Sequence, residues 1–341
     1  MKAKIAEWLV AQRTGRQIAL GLALGLCVTT GAATPWDDVL LQPAPKTFPA
    51  PAEITNTANK VQSILLEGEM FEGRSTRIFA WYGLPKGASA AQKCPAMVLI
   101  HGGAGTAYAW WVELWNKRGY AAIAMDTCGA LPVREKDAKT WKRSGVGGPA
   151  GWGGFGEIDR PLKDQWTYHA VAAVIRANTF LRSLPEVDKQ RVGVTGISWG
   201  GYLTCIVAGV DPRYGWAVPV YGCGFYGDDS EWTPLLKKMA ARGEKWLAQW
   251  DASVYLAEAT CPMLWVSGTK DRFFKVPMLQ KSAACAKGPQ YFDIRETMVH
   301  GHNAGAAPEE ILSFADYFAF GKPLHPNITD HWAVRPENSK K

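Results

Sequence analysis

The chain has 341 residues, of which 47% are hydrophobic and 20% are charged. This length suffices for one large α/β domain or two modest ones, and the composition lacks the low hydropathy and high charge of a disordered chain. The formal net charge is +7, but residues 1–33 contribute +3, so residues 34–341 carry only +4 and contain no cluster of Lys and Arg interleaved with aromatic residues. This distribution argues against nucleic-acid binding.

The first 33 residues have the pattern of an export signal. Four basic residues lie within residues 1–16, an apolar run of eleven spans 18–28, and small residues follow up to Ala33. Eleven helical residues span about half of a bilayer's hydrocarbon core, so cleavage near Ala33 is favoured over the alternative, a transmembrane anchor. The prediction is a secreted or periplasmic protein that keeps no stable membrane anchor after cleavage.

Export would place the cysteines that follow the signal in an oxidising compartment. There are six of them, Cys94, Cys128, Cys205, Cys223, Cys261 and Cys285, and none forms a C-x-x-C pair. The spacing therefore does not indicate a zinc or thioredoxin-like site. The sequence leaves open whether these residues form disulfides or are buried as small apolar side chains.

Residues 34–63 are predicted to be an extended leader, because proline and alanine are frequent between residues 35 and 52. The main domain is predicted over residues 64–322, followed by a C-terminal tail at 323–341. Its first elements are two strands, 64–69 and 76–82, which we expect to form an antiparallel hairpin around Gly73.

From residue 96 onward, short apolar segments alternate with segments that have the pattern of helices. The predicted strands are 96–100, 121–125, 192–195, 216–220, 263–266 and 291–295, and the predicted helices are 107–118, 162–182, 200–209, 277–286 and 308–320. This alternation predicts an α/β fold with a mostly parallel central sheet and helices on both faces. Two insertions, 127–161 and 222–258, follow strands and are expected at the carboxyl edge, where open α/β sheets bind ligands.

The most specific motif is Gly196-Ile-Ser198-Trp-Gly200, which follows an apolar strand and precedes a predicted helix. G-x-S-x-G in this context predicts a nucleophile elbow, in which a tight turn presents the serine hydroxyl above the sheet. A neutral serine needs a base within hydrogen-bond reach and an acid that orients the base. The motif therefore predicts Ser198 as a nucleophile with two partners later in the chain.

Asp271 and His300 are the predicted partners, because each comes shortly after a predicted strand and the order Ser, Asp, His fits the fold. His302 is the alternative base, since His300 and His302 lie two residues apart. We favour His300 because its separation from the strand end suits the fold. A His-x-His metal site is disfavoured because no third ligand accompanies the pair, and no metal is predicted.

A glycine-rich loop, His101-Gly-Gly103-Ala104, follows the strand at 96–100 and is the predicted oxyanion hole. A tetrahedral intermediate needs two preorganised N–H donors for its developing negative charge. We expect one from the backbone of Trp199, directly after the nucleophile, and the other from Gly103 or, failing that, Ala104.

Residues 151–156 formally match the dinucleotide motif G-x-G-x-x-G, but no apolar strand precedes them. A loop at the edge of the pocket is the better interpretation. Six of the 16 tryptophans lie in segments that could reach the site: Trp110, Trp111, Trp152, Trp232, Trp246 and Trp250. Their aromatic faces suit sugar or aryl groups, although core packing is the commoner role of any single tryptophan.

Over residues 64–322 the sequence resembles the α/β-hydrolase superfamily, and within it the acetyl xylan esterase and dienelactone hydrolase-like branch, which is related to the catalytic domains of prolyl oligopeptidases. The resemblance is carried by four segments: His101-Gly-Gly, Trp115-Asn-Lys-Arg-Gly-Tyr-Ala-Ala-Ile, Gly196-Ile-Ser-Trp-Gly-Gly-Tyr and Gly268-Thr-Lys-Asp271. It implies that Ser198, Asp271 and His300 act as nucleophile, orienting acid and base. Dienelactone hydrolases use cysteine as the nucleophile, so Ser198 favours ester hydrolysis of the acetyl esterase kind.

The sequence thus predicts a secreted serine hydrolase that cleaves carboxylic esters through an acyl-enzyme and needs no cofactor. Its expected substrate is a small-molecule or carbohydrate ester, with acetylated polysaccharide as the single best candidate. One rival is a serine exopeptidase, which would need a charged anchor for a substrate terminus, for example Glu157, Asp159 or Glu231. The other rival is a catalytically silent carbohydrate-binding protein on a hydrolase scaffold.

Overall fold

The structure is a computed structural model and describes residues 33–54, 61–136 and 139–336. The export signal predicted for residues 1–33 lies outside this part of the chain, except for its last residue. Within the described ranges, no helix combines the length and the apolar character needed to cross a bilayer.

The described strands fall into one large sheet and one small hairpin. They are β1 (Thr47–Pro49), β2 (Gln62–Glu67), β3 (Arg77–Gly83), β4 (Cys94–Ile100), β5 (Ala121–Met125), β6 (Ala130–Arg134), β7 (Trp141–Arg143), β8 (Val187–Ile197), β9 (Trp216–Val220), β10 (Met263–Gly268), β11 (Gln290–Arg295) and β12 (Val334–Arg335). The large sheet has ten strands in the order β1-β2-β3-β5-β4-β8-β9-β10-β11-β12, and β6 pairs only with β7.

Pairing is antiparallel from β1 through β2 and β3 to β5, and parallel between all the strands that follow in the sheet. The central strands β4, β5 and β9 are buried along their whole length. They are continuous apolar runs because both faces of a parallel sheet are covered by helices. The predicted hairpin around Gly73 is present as β2 and β3, and the mostly parallel sheet is confirmed.

Helices connect the parallel strands and form short elements in the second insertion. They are α1 (Asp37–Leu41), α2 (Ala109–Lys117), α3 (Trp166–Ser183), α4 (Trp199–Val210), α5 (Tyr226–Asp229), α6 (Thr233–Lys238), α7 (Ala241–Trp250), α8 (Ser253–Leu256), α9 (Val276–Cys285), α10 (His302–Ala306) and α11 (Glu309–Phe320). The insertion 127–161 contains the β6–β7 hairpin, and the insertion 222–258 contains α5 to α8. Each insertion follows the carboxyl end of a strand, β5 or β9, as predicted.

Residues 34–54 of the segment predicted as an extended leader are instead packed on the domain. They contain α1 and β1, and the Trp36 side chain is fully buried. The Trp36 indole N–H donates to the Tyr168 carbonyl in α3 at 3.0 Å, and the two rings stack with centroids 6.3 Å apart. The proline and alanine content therefore gave the wrong prediction, because one large aromatic side chain ties this segment to the core.

The predicted tail at 323–341 also departs from expectation, because part of it joins the sheet. β12 pairs in parallel with β11, and the Arg335 guanidinium donates to Asp293 at 2.9 Å. Asn327 donates to the Glu310 carboxylate at 2.9 Å. The described part of the tail, residues 323–336, is thus held by polar contacts that hydrophobic periodicity does not reveal.

All six cysteines that follow the predicted signal are free in the structure. Four are buried, namely Cys94, Cys128, Cys205 and Cys223, and two are partly buried, Cys261 and Cys285. Of the two alternatives that the sequence leaves open, the structure has the small buried thiols.

Candidate active site

Ser198 stands on a sharp turn between β8 and α4. Its backbone has φ 58° and ψ −116°, a conformation that non-glycine residues rarely adopt. A Cβ atom at Gly196 would lie 2.2 Å from the Gly200 carbonyl oxygen, and one at Gly200 would lie 2.1 Å from the Ile100 carbonyl oxygen. The turn therefore requires glycine on both sides of the serine, which explains the G-x-S-x-G pattern.

Ser198, His300 and Asp271 form one hydrogen-bonded chain across the carboxyl edge of the sheet. His300 Nδ1 lies 2.6 Å from Asp271 Oδ2, and His300 Nε2 lies 3.0 Å from Ser198 Oγ. Because a carboxylate only accepts, Nδ1–H donates to Asp271, which leaves the lone pair of Nε2 to accept the serine hydroxyl. The arrangement can deprotonate Ser198 and stabilise the imidazolium that forms.

Asp271 is held by the backbone that follows it. Its Oδ1 accepts the N–H groups of Phe273 at 2.8 Å and Phe274 at 3.0 Å, while Oδ2 faces His300. Asp271 is therefore both the turn-forming residue expected after a strand and the partner of the imidazole. These backbone bonds fix which oxygen points at the histidine.

Aromatic rings that the sequence analysis missed enclose the His300 imidazole. The ring centroids of Tyr221 and Phe273 lie 4.6 and 4.8 Å from that of His300. Tyr221 has φ 58° and donates its hydroxyl to the Val299 carbonyl at 2.7 Å, so it anchors the segment just before His300. The available signals were that Tyr221 directly follows β9 at the carboxyl edge and that Phe273 lies two residues after Asp271.

His302 does not join this chain. Its ring packs against Tyr108 and Trp111, with centroids 4.3 and 4.8 Å away, and both of its ring nitrogens are buried without a hydrogen-bond partner. Burial lowers the pKa of His302 to about 3, and the nearby His101 acts in the same direction, because two neighbouring imidazoles disfavour protonation of either one. The structure therefore places His300 rather than His302 beside Ser198, and His302 lines the pocket as a neutral ring.

The pocket next to Ser198 has a volume of about 260 Å³. Its lining consists of the glycine-rich loop and the segments around the two histidines, namely Gly102, Gly103, Ala104, Gly105, Tyr108, Ile197, Ser198, His300, Gly301 and His302. Gly103 thus shares a pocket with the serine, and its Cα is so close to the Trp199 ring that a Cβ would lie 2.9 Å from Trp199 Cδ1. The glycine-rich loop therefore lies close to the amino end of α4.

His101 is a structural residue of this loop. Its Nε2 accepts the Thr127 N–H at 3.1 Å, so Nδ1 carries the proton and donates to the Gly102 carbonyl at 3.0 Å. Burial lowers the pKa of His101, with the nearby Asp126 carboxylate opposing that effect. The neutral imidazole therefore joins the loop after β4 to the loop after β5.

Residues 151–156 pack against the side chain of Trp199, the residue that follows Ser198 in the nucleophile turn. Gly153 has φ 75°, and a Cβ there would lie 2.6 Å from Trp199 Cη2. The Trp246 indole N–H donates to the Gly153 carbonyl at 2.6 Å, and Phe155 packs on both Trp199 and Trp246. Glycine thus lets this loop approach the Trp199 ring. This packing accounts for the G-x-G-x-x-G pattern, and no dinucleotide-binding role is needed to explain it.

The six tryptophans predicted near the site differ in how far they are buried. Trp111, Trp246 and Trp250 are fully buried, Trp152 and Trp232 are partly buried, and Trp110 is 40% exposed. Trp110 lies 5.6 Å from His302 and 6.0 Å from Tyr108 between ring centroids, so it borders the pocket from outside. Within the described ranges, no group of three or more His, Cys, Asp or Glu side chains is placed to hold a metal ion.

A strained serine after a buried parallel strand, with its histidine and aspartate supplied after later strands of the same sheet, defines an α/β-hydrolase. A model of the acetyl xylan esterase family, AXE1, matches residues 46–226, and a model of the prolyl oligopeptidase family matches residues 151–323. The chain belongs to the acetyl xylan esterase family, in a branch of the α/β-hydrolase superfamily that is related to the prolyl oligopeptidases. The resemblance given by the sequence motifs is confirmed.

Solved structures show the same fold at low sequence identity. The acetyl xylan esterase from Paenibacillus sp. R4 has a TM-score of 0.65 and 21% identity, covering 83% of this chain and 93% of its own. Acetyl xylan esterase 1 from Thermoanaerobacterium sp. JW/SL YS485 has a TM-score of 0.63 and 18% identity, covering 83% and 91%. The acylaminoacyl peptidase of Pyrococcus horikoshii has a TM-score of 0.57 and 16% identity, covering 77% and 42%.

Among curated proteins, the acetyl esterase Axe7A of Xylanibacter ruminicola is 41% identical to this chain over 61 residues. The matched segment represents 17% of this chain and 14% of that protein. The match is therefore local. It agrees with the family assignment but says nothing about the rest of either chain.

Proposed function

We propose that the protein is a serine hydrolase that cleaves carboxylic esters through an acyl-enzyme. The observation that carries the proposal is the chain Asp271 Oδ2, His300 Nδ1, His300 Nε2 and Ser198 Oγ, with links of 2.6 and 3.0 Å. Ser198 attacks the ester carbonyl, His300 takes the hydroxyl proton and returns it to the departing alcohol, and Asp271 holds the imidazole. Water then hydrolyses the acyl-Ser198 ester by the same route.

The oxyanion of the tetrahedral intermediate is proposed to accept hydrogen bonds from the backbone N–H groups of Trp199 and Gly103. Trp199 begins α4, so its N–H is among the groups that have no partner within the helix. Gly103 lines the Ser198 pocket and contacts the Trp199 ring. Removal of one such donor costs on the order of 3 kcal/mol of transition-state stabilisation in serine hydrolases.

The proposed substrate is an acetylated carbohydrate, and the proposed location is outside the cytoplasm. The family assignment supports the acetyl group, and the exposed Trp110 beside Tyr108 supports a sugar, because aromatic faces suit the apolar faces of sugar rings. Export rests on the signal pattern of residues 1–33, and the mature hydrolase is proposed to begin after Ala33.

An exopeptidase is the second candidate, because the prolyl oligopeptidase model matches residues 151–323. Two of its three possible anchors are already engaged. Glu157 Oε2 accepts the Trp166 N–H at 2.7 Å, and Asp159 pairs with Arg242 at 2.6 Å. The esterase is therefore the better supported of the two.

Release of acetate from acetylated oligosaccharides and from p-nitrophenyl acetate, compared with release of nitroaniline from aminoacyl-nitroanilides, tests the proposal. We expect ester turnover that Ser198→Ala reduces by several orders of magnitude, with the melting temperature unchanged. Turnover of the anilides alone would establish the peptidase instead. A folded protein that cleaves neither class and resists fluorophosphonates would be the silent carbohydrate-binding homologue.

A further inference from the structure

The Ser198 pocket is flanked by two arginines whose charges are not neutralised within the described residues. Arg134 ends strand β6 and Arg272 follows Asp271, and both are exposed. Neither forms an ion pair with a described carboxylate. Each is instead held over an aromatic ring that contacts the site.

Arg134 lies on the side of the glycine-rich loop. Its guanidinium carbon is 3.5 Å from the centroid of the Trp141 ring, and the Trp141 indole N–H donates to the Ala104 carbonyl at 2.9 Å. Burial raises the pKa of Tyr108, and the positive charge of Arg134 opposes that shift. Since Ala104 and Tyr108 both line the pocket, Arg134 is a cation at its border.

Arg272 lies on the side of the base. Its guanidinium carbon is 4.6 Å from the centroid of the Phe273 ring, and that ring lies 4.8 Å from the His300 imidazole. Arg272 also lines a groove of about 570 Å³ with Glu231 and Lys237. Within that groove Asp229 is paired with Lys275 at 2.7 Å, and Asp228 is paired with Lys281.

Once these ion pairs are set aside, the charge that remains around the pocket among the described residues is positive. None of the residues that line the pocket beside Ser198 is acidic. In the groove, among the described residues, Glu231 is a carboxylate without an ion pair, and Arg272 and Lys237 are two cations without one. Arg134 already donates one N–H group to the Lys139 carbonyl at 2.8 Å. A guanidinium that lies over an aromatic ring can still direct its other N–H groups at a planar anion such as a carboxylate.

We infer that the ester substrate is an acidic glycan, whose carboxylates are bound by Arg134 on one side of Ser198 and by Arg272 on the other. This inference rests on the proposed esterase function and names its substrate class. An acetylated chain that contains uronic acids would cross the pocket with the acetyl ester at Ser198 and its carboxylates at the two guanidinium groups. A neutral acetylated chain would offer no carboxylate to either guanidinium.

The test compares two esters that differ only in charge: fully O-acetylated methyl glucuronoside and its uncharged glucuronamide. Acetate release is measured for wild type, Arg134→Gln, Arg272→Gln and the double variant. We expect wild type to favour the carboxylate by about tenfold or more in kcat/KM, mainly through KM, since one tenfold step is the typical scale of a charged hydrogen bond. The double variant should lose this preference to within about threefold, and added salt should reduce it in wild type.

Arg77→Gln is the matched control, because the Arg77 guanidinium also lies over a ring, 3.8 Å from the Phe48 centroid, but is carried by β3 away from the pocket lining. It should keep the wild-type preference. Equal rates for the two esters in wild type would overturn the inference, and so would a preference that survives in the double variant.

Binding separates this inference from the function it rests on. If no ester is cleaved, p-nitrophenyl acetate included, the esterase proposal fails. Calorimetry of folded Ser198→Ala with methyl glucuronoside and methyl glucuronamide then still decides the subsite. Tighter binding of the carboxylate that depends on Arg134 and Arg272 supports the inference, and equal binding overturns it.

Discussion

The replacement Asp271→Asn isolates the contribution of the carboxylate, because the new side chain has the same shape and one different atom. Asp271 Oδ1 accepts two backbone N–H groups, from Phe273 and Phe274, and Oδ2 faces His300 Nδ1. An asparagine that keeps the two backbone bonds must point its NH₂ group at His300 Nδ1. The imidazole proton then moves to Nε2, where it faces Ser198 Oγ and prevents that nitrogen from acting as a base.

The other amide orientation is no better. It would accept from His300 Nδ1, but its NH₂ group would face the two backbone N–H groups and leave both without an acceptor. Each buried donor that loses its partner costs about 1 to 3 kcal/mol, so this orientation costs about 2 to 6 kcal/mol. Either route predicts a loss of kcat by about 10⁴, equivalent to about 5 kcal/mol, which is the scale measured when the triad aspartate of a serine protease is changed in this way.

The assay is the initial rate of p-nitrophenyl acetate hydrolysis, with circular dichroism to verify the fold. KM should change little, because Asp271 does not line the pocket. Asp330→Asn is the control, since Asp330 also lies next to a histidine, 3.1 Å from His331 Nδ1, but both are exposed. If Asp271→Asn keeps kcat within tenfold of wild type, the assignment of Asp271 as the orienting acid is refuted.

Three further predictions concern stability. Gly200→Ala should lower the free energy of unfolding by at least 2 kcal/mol in urea titrations, because its Cβ would lie 2.1 Å from the Ile100 carbonyl oxygen; an unchanged midpoint would contradict the packing of the turn. Trp36→Ala should cost about 3 to 5 kcal/mol in the same assay, since the indole is fully buried, whereas a true leader would show no loss. His302 has a folded pKa of about 3 against an ordinary 6.5, so below pH 6.5 the unfolded chain gains a proton that the folded chain refuses. Its contribution to the free energy of unfolding is intact above pH 6.5 and falls by about 2 kcal/mol at pH 5. Urea titrations above pH 6.5 and at pH 5 should show that His302→Phe loses less stability on acidification than wild type does. Equal losses in the two proteins would contradict this.

The strands and helices of the sheet could be predicted because local sequence determines them. Residues 121–125 and 216–220 are short apolar runs between helical segments, and β5 and β9 have those bounds. The positions of Ser198, Asp271 and His300 followed from the same pattern, since each comes after a strand whose carboxyl end lies at one edge of the sheet. Topology thus brings together residues that are far apart in the chain.

Contacts between distant segments could not be predicted in this way. Trp36 packs on Tyr168, which is 132 positions away, so no local pattern distinguishes its segment from an unpacked leader. Tyr221 supports His300 through a positive φ and a bond to the Val299 carbonyl, neither of which is visible in a single sequence. For the base, the separation from the strand end favoured His300 with His302 as the alternative, and only the backbone geometry brings His300 within hydrogen-bond distance of both Asp271 and Ser198.

His300 and Asp271 are proposed to make Ser198 a nucleophile that carries the acyl group. The most direct test of this proposal is to treat the folded protein with a fluorophosphonate and to locate the adduct by peptide mass spectrometry, in wild type and in Ser198→Ala. We expect one equivalent of adduct on Ser198 in wild type and none in the variant. Modification of a different side chain, or a folded wild-type protein that stays unlabelled, would contradict it.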